Sequence, residues 1–313
     1  TFDSRNSTYR YAFYQRAFPY SSAFMESDWY QSNGTTPISS AWNTFATNTL
    51  DATANNQRYL AYVNQHTEYG YEFGGTKNGQ NITQSVTNYT LDTSGNQTTV
   101  ANSVTDTDSG SPYFNSTWGS TTTRTITPDS TNWCLGLPSQ VQVVKAAPAV
   151  PSITRTVAYT PDYVKCRETQ QVVEPLSATY KVAEVFGFDS FGNINSDAVT
   201  GIGMSARPTT SSWGTTGQFP VTITNALTQI TGRGYNYDLG FQTSETDPNG
   251  IQTSWQPDNF GRRILETRPD NTTTVTTYNA CGSVAGGCQN GDPASAATGI
   301  NHMVVIATNK DNT

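Results

Sequence analysis

The stretch that decides the fold is YDLGFQTSETDPNGIQTSWQPDNFGRRILETRPDNTTTVTTYNACG, which runs from Tyr237 to Gly282. A glycine recurs in it every 21 residues, at Gly240, Gly261 and Gly282. A proline recurs at the same interval, at Pro248 and Pro269. Each repeat contains two turn signals and two polar runs of about six residues, which is the length of one β-hairpin.

The residue types at the repeated positions suit hairpin turns. An Asp side chain can accept a hydrogen bond from the backbone two residues on, and Gly adopts the positive φ that other residues resist. The same Asp and Gly turn residues occur upstream in LDTSGN from Leu91 and in FDSFGN from Phe188. We therefore interpret these residues as turn positions rather than as a ligand site. The predicted turn positions are Asp92, Gly95, Asp189, Gly192, Tyr237, Asp238, Gly240, Pro248, Gly250, Asp258, Gly261, Pro269 and Asp270.

This pattern resembles the tandem YD repeats of Rhs (rearrangement hotspot) proteins. In that unit a Tyr-Asp pair is followed by Gly-Arg, a strand, a Pro-Asp-Gly turn and a Thr-rich strand. Arg262 occupies the usual Arg position, which adds it to the turn residues, and Asn96 and Asn193 occupy it as the Asn variant. Pro257 replaces the Tyr of one repeat, and the spacing from Asp238 to Gly240 is one residue short. Segments 11–24, 129–143 and 218–227 are similar to the shell of Tc-toxin B-type and related secreted bacterial Rhs proteins.

The resemblance implies an all-β fold in which repeated antiparallel β-hairpins form a spiralling ribbon, part of a hollow Rhs-type cocoon shell. It implies a degenerate Rhs-like β-shell region over residues 1–187 and tandem YD repeats over residues 188–282. Residues 283–313 are expected to form an irregular loop leading toward a further repeat. In that family the shell encloses a C-terminal toxin, so the expected partners are the rest of the shell, or other chains of it, and an enclosed toxin polypeptide.

Composition supports a β-rich protein and excludes several partners. Charged residues are only 13% of the chain and its formal net charge is -7, against about 25% charged residues in an average soluble domain. Nucleic-acid binding needs clustered Lys and Arg, and the longest basic run is Arg262–Arg263, so no nucleic-acid partner is expected. No apolar stretch approaches the ~18 residues of a membrane span. No cofactor motif is found, so we predict no cofactor.

Four cysteines, Cys134, Cys166, Cys281 and Cys288, allow three pairings, among which the sequence does not choose. The low Lys content suits an exported protein, in which disulfides are permitted. Cys281 and Cys288 flank the flexible segment GSVAGG and form the candidate disulfide. A Cys134–Cys166 bridge is the further candidate, and four buried thiols are the alternative.

Strand-like segments dominate the pattern. They include Asn81–Leu91, Ser120–Thr127, Val141–Lys145, Thr179–Phe188 and Thr272–Tyr278. The best helix candidate is Ser39–Leu50, which starts with Ser and carries apolar residues at Trp42, Phe45 and Leu50.

Two segments carry residue types that bind metals. His66, Glu68 and Glu72 could share one strand face, but with only two histidines in the chain a solvated strand face is favoured over a zinc site. The segment Asp106–Gly110 resembles the start of a calcium loop but lacks its glycine at loop position six and its closing Glu. We expect a polar turn there and no metal.

Three functions are compared on this basis. The first is a non-enzymatic shell segment of a secreted or cell-surface bacterial protein that encapsulates an effector. The second is a cell-surface adhesion or glycan-binding YD-repeat module. The third is a carbohydrate-active enzyme that uses two carboxylates, for which Glu174, Glu184, Glu245 and Glu266 are scattered candidates.

Overall fold

The computed structural model describes residues 2–3, 8–53, 55–280 and 303–310. Over those residues the chain forms 21 β-strands and no α-helix, so the predicted all-β fold of repeated antiparallel hairpins is confirmed. The chain divides into two units, Thr1–Ala183 and Glu184–Thr313.

The first unit is an antiparallel meander in which each strand pairs with the next. Within the described residues these strands contact only their neighbours in sequence, so the unit is one layer of sheet. Its strands are β1 Phe2–Asp3, β2 Thr8–Tyr14, β3 Phe24–Tyr30, β4 Pro37–Asp51, β5 Arg58–Tyr71, β6 Asn81–Leu91, β7 Gln97–Asp106, β8 Thr117–Ile126, β9 Pro138–Ala147, β10 Val150–Asp162 and β11 Arg167–Val173.

The second unit is also a meander, and β12, Val182–Phe188, crosses the boundary between the two units. From β13 onward each described strand again pairs antiparallel with the next. These strands are β13 Ile194–Gly201, β14 Arg207–Ser212, β15 Thr222–Thr224, β16 Ile230–Asn236, β17 Phe241–Thr246, β18 Gln252–Pro257, β19 Arg263–Thr267, β20 Thr273–Ala280 and β21 Met303–Lys310.

Few side chains are buried in this arrangement. Among the described residues, Cys134 is the one apolar residue below the surface, while Ser27, Asp28 and Thr67 are the buried polar ones. A single layer has water on both sides, so its strands use Thr, Ser, Asn and Tyr where a two-layer domain would use aliphatic residues. Stability must therefore come mainly from the backbone ladder and from cross-strand side-chain pairs.

The predicted strands are confirmed in place, and Asn81–Leu91 matches β6 at both ends. The predicted helix at Ser39–Leu50 is wrong, because this segment lies within β4 and pairs with β3 and β5. The bulge in the β4–β5 pairing lies on the partner strand, where Asn64 is the extra residue opposite Thr44 and Phe45. Side chains along β4 therefore alternate normally, and Trp42 and Phe45, three residues apart, belong to opposite faces of the sheet rather than to one face of a helix.

Candidate functional site

Four turns share one hydrogen-bond geometry, and we call them the Asp–Gly turns: residues 92–96, 189–193, 247–251 and 258–262. In each, Oδ1 of the leading Asp accepts backbone N–H bonds from the third and fifth residues at 2.8–3.0 Å. The N–H of the fourth residue, always Gly, donates to the Asp carbonyl at 3.0–3.2 Å. In the turn, the Asp carboxylate thus accepts the backbone N–H bonds that the carbonyls of a neighbouring strand accept within the sheet.

The glycine of each Asp–Gly turn lies between two strands and has a positive φ, 89° at Gly95, 94° at Gly192, 81° at Gly250 and 76° at Gly261. L-residues rarely adopt this conformation, which is why Gly recurs there. The structure therefore places these four glycines in strand-connecting turns. Gly282, the next glycine of the 21-residue series, lies outside the described residues.

In three Asp–Gly turns the side chain of the fifth residue also contacts a residue in a more distant part of the chain. Asn96 Nδ2 donates to Asp92 Oδ2 at 2.9 Å and to the Leu135 carbonyl at 2.7 Å. Asn193 Nδ2 donates to Asp189 Oδ2 at 3.2 Å and to the Gly217 carbonyl at 2.8 Å. The sequence pattern identifies the two asparagines, but the carbonyl acceptors carry no sequence signal, because any residue supplies one.

Arg262 fills the equivalent position with a different contact. Its Nε donates to Asp258 Oδ2 at 2.7 Å. Its guanidinium lies over the ring of Tyr278 on β20, 4.4 Å from the ring centre, and 5.2 Å from that of Phe260. A planar cation can bind a carboxylate and stack on rings at once, which an Asn cannot do.

The turn at Tyr237–Gly240 departs from the expected pattern. Its side-chain acceptor is Asn236, whose Oδ1 accepts the Leu239 N–H at 3.0 Å, whereas Asp238 is exposed. Tyr237 packs against Phe219 with ring centres 5.9 Å apart, and Gly240 keeps a positive φ of 62°. The acceptor thus lies four residues before Gly240, whereas in the Asp–Gly turns it lies three residues before Gly.

The proline-containing turns use neighbouring polar residues rather than the prolines as acceptors. Pro248 occupies the second position of an Asp–Gly turn, where Asp247 makes the hydrogen bonds. After Pro269, Asp270 Oδ1 accepts the Thr272 N–H at 2.9 Å, and Asn271 takes the positive φ, 63°, that Gly has elsewhere.

These hydrogen bonds lower the pKa of the turn aspartates. At Asp258 the side-chain bond from Arg262 is the main cause, and at Asp247 it is the backbone bond from Ile251. At Asp92 and Asp189 desolvation opposes the effect, but bonds from the turn residues outweigh it and the pKa is again lowered. The ionised carboxylate is therefore the form that the folded turns require.

Acid should destabilise all of these turns, because it protonates their aspartates. Because the folded pKa of each turn Asp lies below its unfolded value of about 3.9, the stabilisation is complete above that value and is lost as the pH falls through the folded pKa. We expect the melting temperature, followed by circular dichroism, to drop as the pH falls below about 4. A melting temperature that stays constant down to about pH 3 would contradict this role.

A disulfide joins Cys134, in the β8–β9 connection, to Cys166, in the β10–β11 connection, with Cα atoms 5.2 Å apart. The predicted Cys134–Cys166 bridge is therefore confirmed. Backbone bonds in both directions between Asp129 and Cys134 hold one end of the bridge in place. The predicted Cys281–Cys288 bridge lies outside the described residues and stays a prediction.

The segments with metal-binding residue types make ordinary protein contacts. His66 Nδ1 lies 2.8 Å from Asn43 Oδ1, and Glu68 is exposed on its strand. The expected polar turn at Asp106–Gly110 is confirmed, since Asp108 binds Lys77 at 2.6 Å and accepts the Gly110 N–H at 2.8 Å. No cluster of three potential metal ligands occurs among the residues that the structure describes.

Three of the candidate catalytic glutamates pair with arginines. Glu174 lies 3.6 Å from Arg155, Glu245 lies 3.0 Å from Arg233, and Glu266 lies 3.2 Å from Arg263 and 3.4 Å from Arg268. Glu184 differs, because it is hydrogen-bonded to another carboxyl, Asp197 on β13. Desolvation, followed by repulsion from Glu184, raises the pKa of Asp197.

Replacing Asp197 by Asn should stabilise the protein at neutral pH. For a carboxyl whose folded pKa is raised, the stabilising contribution is present below the unfolded pKa and is lost as the pH rises through the folded pKa. The Asp197→Asn variant removes that loss while keeping the shape of the side chain. We expect its melting temperature to exceed that of the wild type at about pH 7.5, with a smaller gap at about pH 4. An equal gap at both pH values would exclude titration as the cause.

No helix in the described part of the chain is long and apolar enough to cross a membrane. No curated protein matches the chain by sequence.

The family model of the RHS Repeat matches residues 235–274, which contain two of the Asp–Gly turns. The crystal structure of TcdB2-TccC3 matches with a TM-score of 0.62 and 13% identity over 79% of this chain and 17% of that chain. The same complex without its hypervariable C-terminal region matches with a TM-score of 0.62 and 12% identity over 82% of this chain and 16% of that chain. The Tc holotoxin pore of Photorhabdus luminescens matches with a TM-score of 0.62 and 13% identity over 82% of this chain and 16% of that chain.

This chain therefore spans about a sixth of the length of those chains, with coverage of 16–17%. The structural likeness confirms the expected fold, and the family match confirms the predicted repeat where the turn pattern is most regular. Residues 235–274 match the RHS Repeat, within a chain that shares the fold of the TcdB2-TccC3 structures.

Proposed function

We propose that this chain is a structural β-shell segment of a secreted bacterial Rhs/YD-repeat toxin-type protein, and that the complete shell encloses an effector polypeptide. The observation that supports this most is the Asp–Gly turn fastened to a distant part of the chain, as Asn96 is to Leu135 and Asn193 to Gly217. Such turns set the spacing of successive hairpins, which is what a shell wall needs.

The proposal assigns the work to geometry rather than to catalysis. The recurrent aspartates are occupied as ionised acceptors of turn N–H groups, and most candidate glutamates are occupied by arginines. The partners would be the remaining shell and the enclosed polypeptide, and the location would be extracellular or at the bacterial surface. Residues 1–187 would form degenerate shell, residues 188–282 the tandem repeats, and residues 283–313 the approach to a further repeat.

Enclosure can be tested on the full-length polypeptide that contains this chain. We expect electron cryomicroscopy to show a closed wall with polypeptide density inside. Trypsin should cleave the enclosed segment at least about 10-fold more slowly than the same segment expressed alone, because cleavage requires access to the open chain. Equal cleavage rates, or a sheet open to solvent on both sides in the full-length protein, would refute the proposal.

A glycan-binding module is the second candidate, and exposed rings in connections between strands favour it. Phe18 is 75% exposed, Trp133 is 77% exposed and Phe260 is 83% exposed. Aromatic rings present apolar faces that can stack on ligands. Binding to a glycan array that is lost in a Trp133→Ala variant, combined with the absence of any enclosed polypeptide, would favour this function over the shell.

A further inference from the structure

One face of the first unit combines aromatic rings with two carboxylates. Residues directly opposite one another in an antiparallel sheet lie on the same face. The pairing of β2 with β3 sets Tyr11 beside Asp28, and the pairing of β3 with β4 sets Trp42 beside Glu26. We call this surface, with Tyr69 on β5, the acidic aromatic face.

The rings on this face are held in defined orientations. Trp42 stacks on Tyr69 with ring centres 4.9 Å apart, and the Tyr69 hydroxyl accepts a bond from Gln84 Nε2 at 2.9 Å. Tyr11 meets Tyr30 edge to face at 5.7 Å. Rings fixed in this way lose little freedom when a ligand binds against them.

A recess of about 590 Å³ opens beside Glu26 and Trp42. Tyr20 and Phe45 also line it, with ring centres 5.5 Å apart. Of its lining residues, Glu26 and Trp42 belong to the acidic aromatic face, whereas Phe45, three residues after Trp42 on β4, belongs to the other face. The volume of the recess exceeds that of one side chain and leaves room for the residues that flank it in a peptide.

Arg10, the described cation on the neighbouring strand β2, belongs to the other face, where it bonds Ser27 and lies over Trp29. Asp28 is only 9% exposed and accepts a hydrogen bond from Ser40. Burial, and secondarily Asp28, raises the pKa of Glu26. None of the described residues that line the recess is Lys or Arg, and Arg16 lines the adjoining hollow instead.

We propose that the recess at Glu26 and Trp42 binds the Lys or Arg side chain of a basic polypeptide segment. A cation over an aromatic face gains roughly 2- to 30-fold in affinity, depending on how far it is desolvated. A carboxylate at the same position adds a charge-assisted hydrogen bond. The carboxylates, the fixed rings and the concave shape therefore all favour a cation over an anionic or a purely apolar ligand.

The test measures binding of a fluorescein-labelled Gly-Ser peptide that carries three consecutive arginines, by fluorescence anisotropy at about 50 mM and about 300 mM salt. A peptide with glutamines in place of the arginines is the neutral probe. Glu26→Gln removes the recess carboxylate, and Trp42→Leu removes a ring. Glu68→Gln is the matched control, because it removes one exposed carboxylate on β5 whose opposite residue, Ala41, belongs to the other face.

We expect the arginine peptide to bind and the glutamine peptide not to. Glu26→Gln and Trp42→Leu should each weaken binding by about 5-fold or more, and Glu68→Gln by less than about 2-fold. Circular dichroism checks that the variants are folded. If the Trp42→Leu variant does not fold, the binding measured for Glu26→Gln alone tests the proposal. No binding of the arginine peptide, equal binding of both peptides, or equal losses in Glu26→Gln and Glu68→Gln would overturn the proposal.

Discussion

Replacing Cys134 and Cys166 together by alanine is expected to lower the free energy of unfolding by about 3–4 kcal/mol. The bridge closes a loop with a sequence separation of 32 residues, which includes the whole β9–β10 hairpin. Loop-closure entropy of the unfolded chain accounts for this magnitude. Urea unfolding of the oxidised wild type and the double variant, followed by circular dichroism, measures the difference.

Reduction of the wild type provides the matched control. It opens the same loop without changing the sequence, so it should reproduce most of the loss seen in the double variant. A thiol assay before and after reduction confirms that the bridge was present. If the reduced wild type and the double variant both unfold at the same urea concentration as the oxidised protein, the bridge contributes nothing to the free energy of unfolding.

Gly217→Ala should cost about 2–4 kcal/mol of unfolding free energy, from two separate effects. Gly217 has a φ of 66°, which an alanine adopts only with strain. A Cβ at this position would lie 2.5 Å from Cδ2 of Phe191, so the ring and the Asn193 contact to the Gly217 carbonyl would both have to move. Denaturant unfolding of this variant and the wild type gives the loss.

Gly203→Ala separates the two effects. Gly203 also has a positive φ, 70°, but nothing lies within 4 Å of the position that its Cβ would take. It should therefore cost only the strain, about 1–2 kcal/mol. Adding Phe191→Ala to Gly217→Ala removes the clash and should recover part of the loss. Equal costs for Gly203→Ala and Gly217→Ala would show that the Phe191 contact is unimportant.

The turns could be read from the sequence because their chemistry is local. Asp92 and Gly95, or Asp258 and Gly261, lie within one turn, and a side-chain acceptor followed by a positive φ leaves a recognisable pair of residue types. The exposed Asp238 shows the limit of that reasoning. In that turn Asn236, two residues earlier, accepts a backbone N–H instead, and the sequence pattern does not show which of the two residues is the acceptor.

The contacts between distant residues could not be read in this way. The bond from Asn193 to the Gly217 carbonyl depends on how two hairpins are placed, and a carbonyl has no residue type. The bulge at Asn64, opposite Thr44 and Phe45, similarly follows from the pairing of β4 with β5. The recess beside Glu26 was missed because its lining residues come from separate strands and loops, with Tyr20 and Phe45 brought together only by folding.

A single layer of sheet also leaves most strand positions free to vary. With Cys134 the one buried apolar side chain among the described residues, few strand positions are constrained by a neighbour's volume. Substitutions can accumulate along the strands as long as the Asp, Gly and Asn of the turns still set the length of each hairpin. The solved structures that share this fold at a TM-score of 0.62 have only 12–13% identity with the chain. Searches for relatives should therefore weigh the turns above the strands between them.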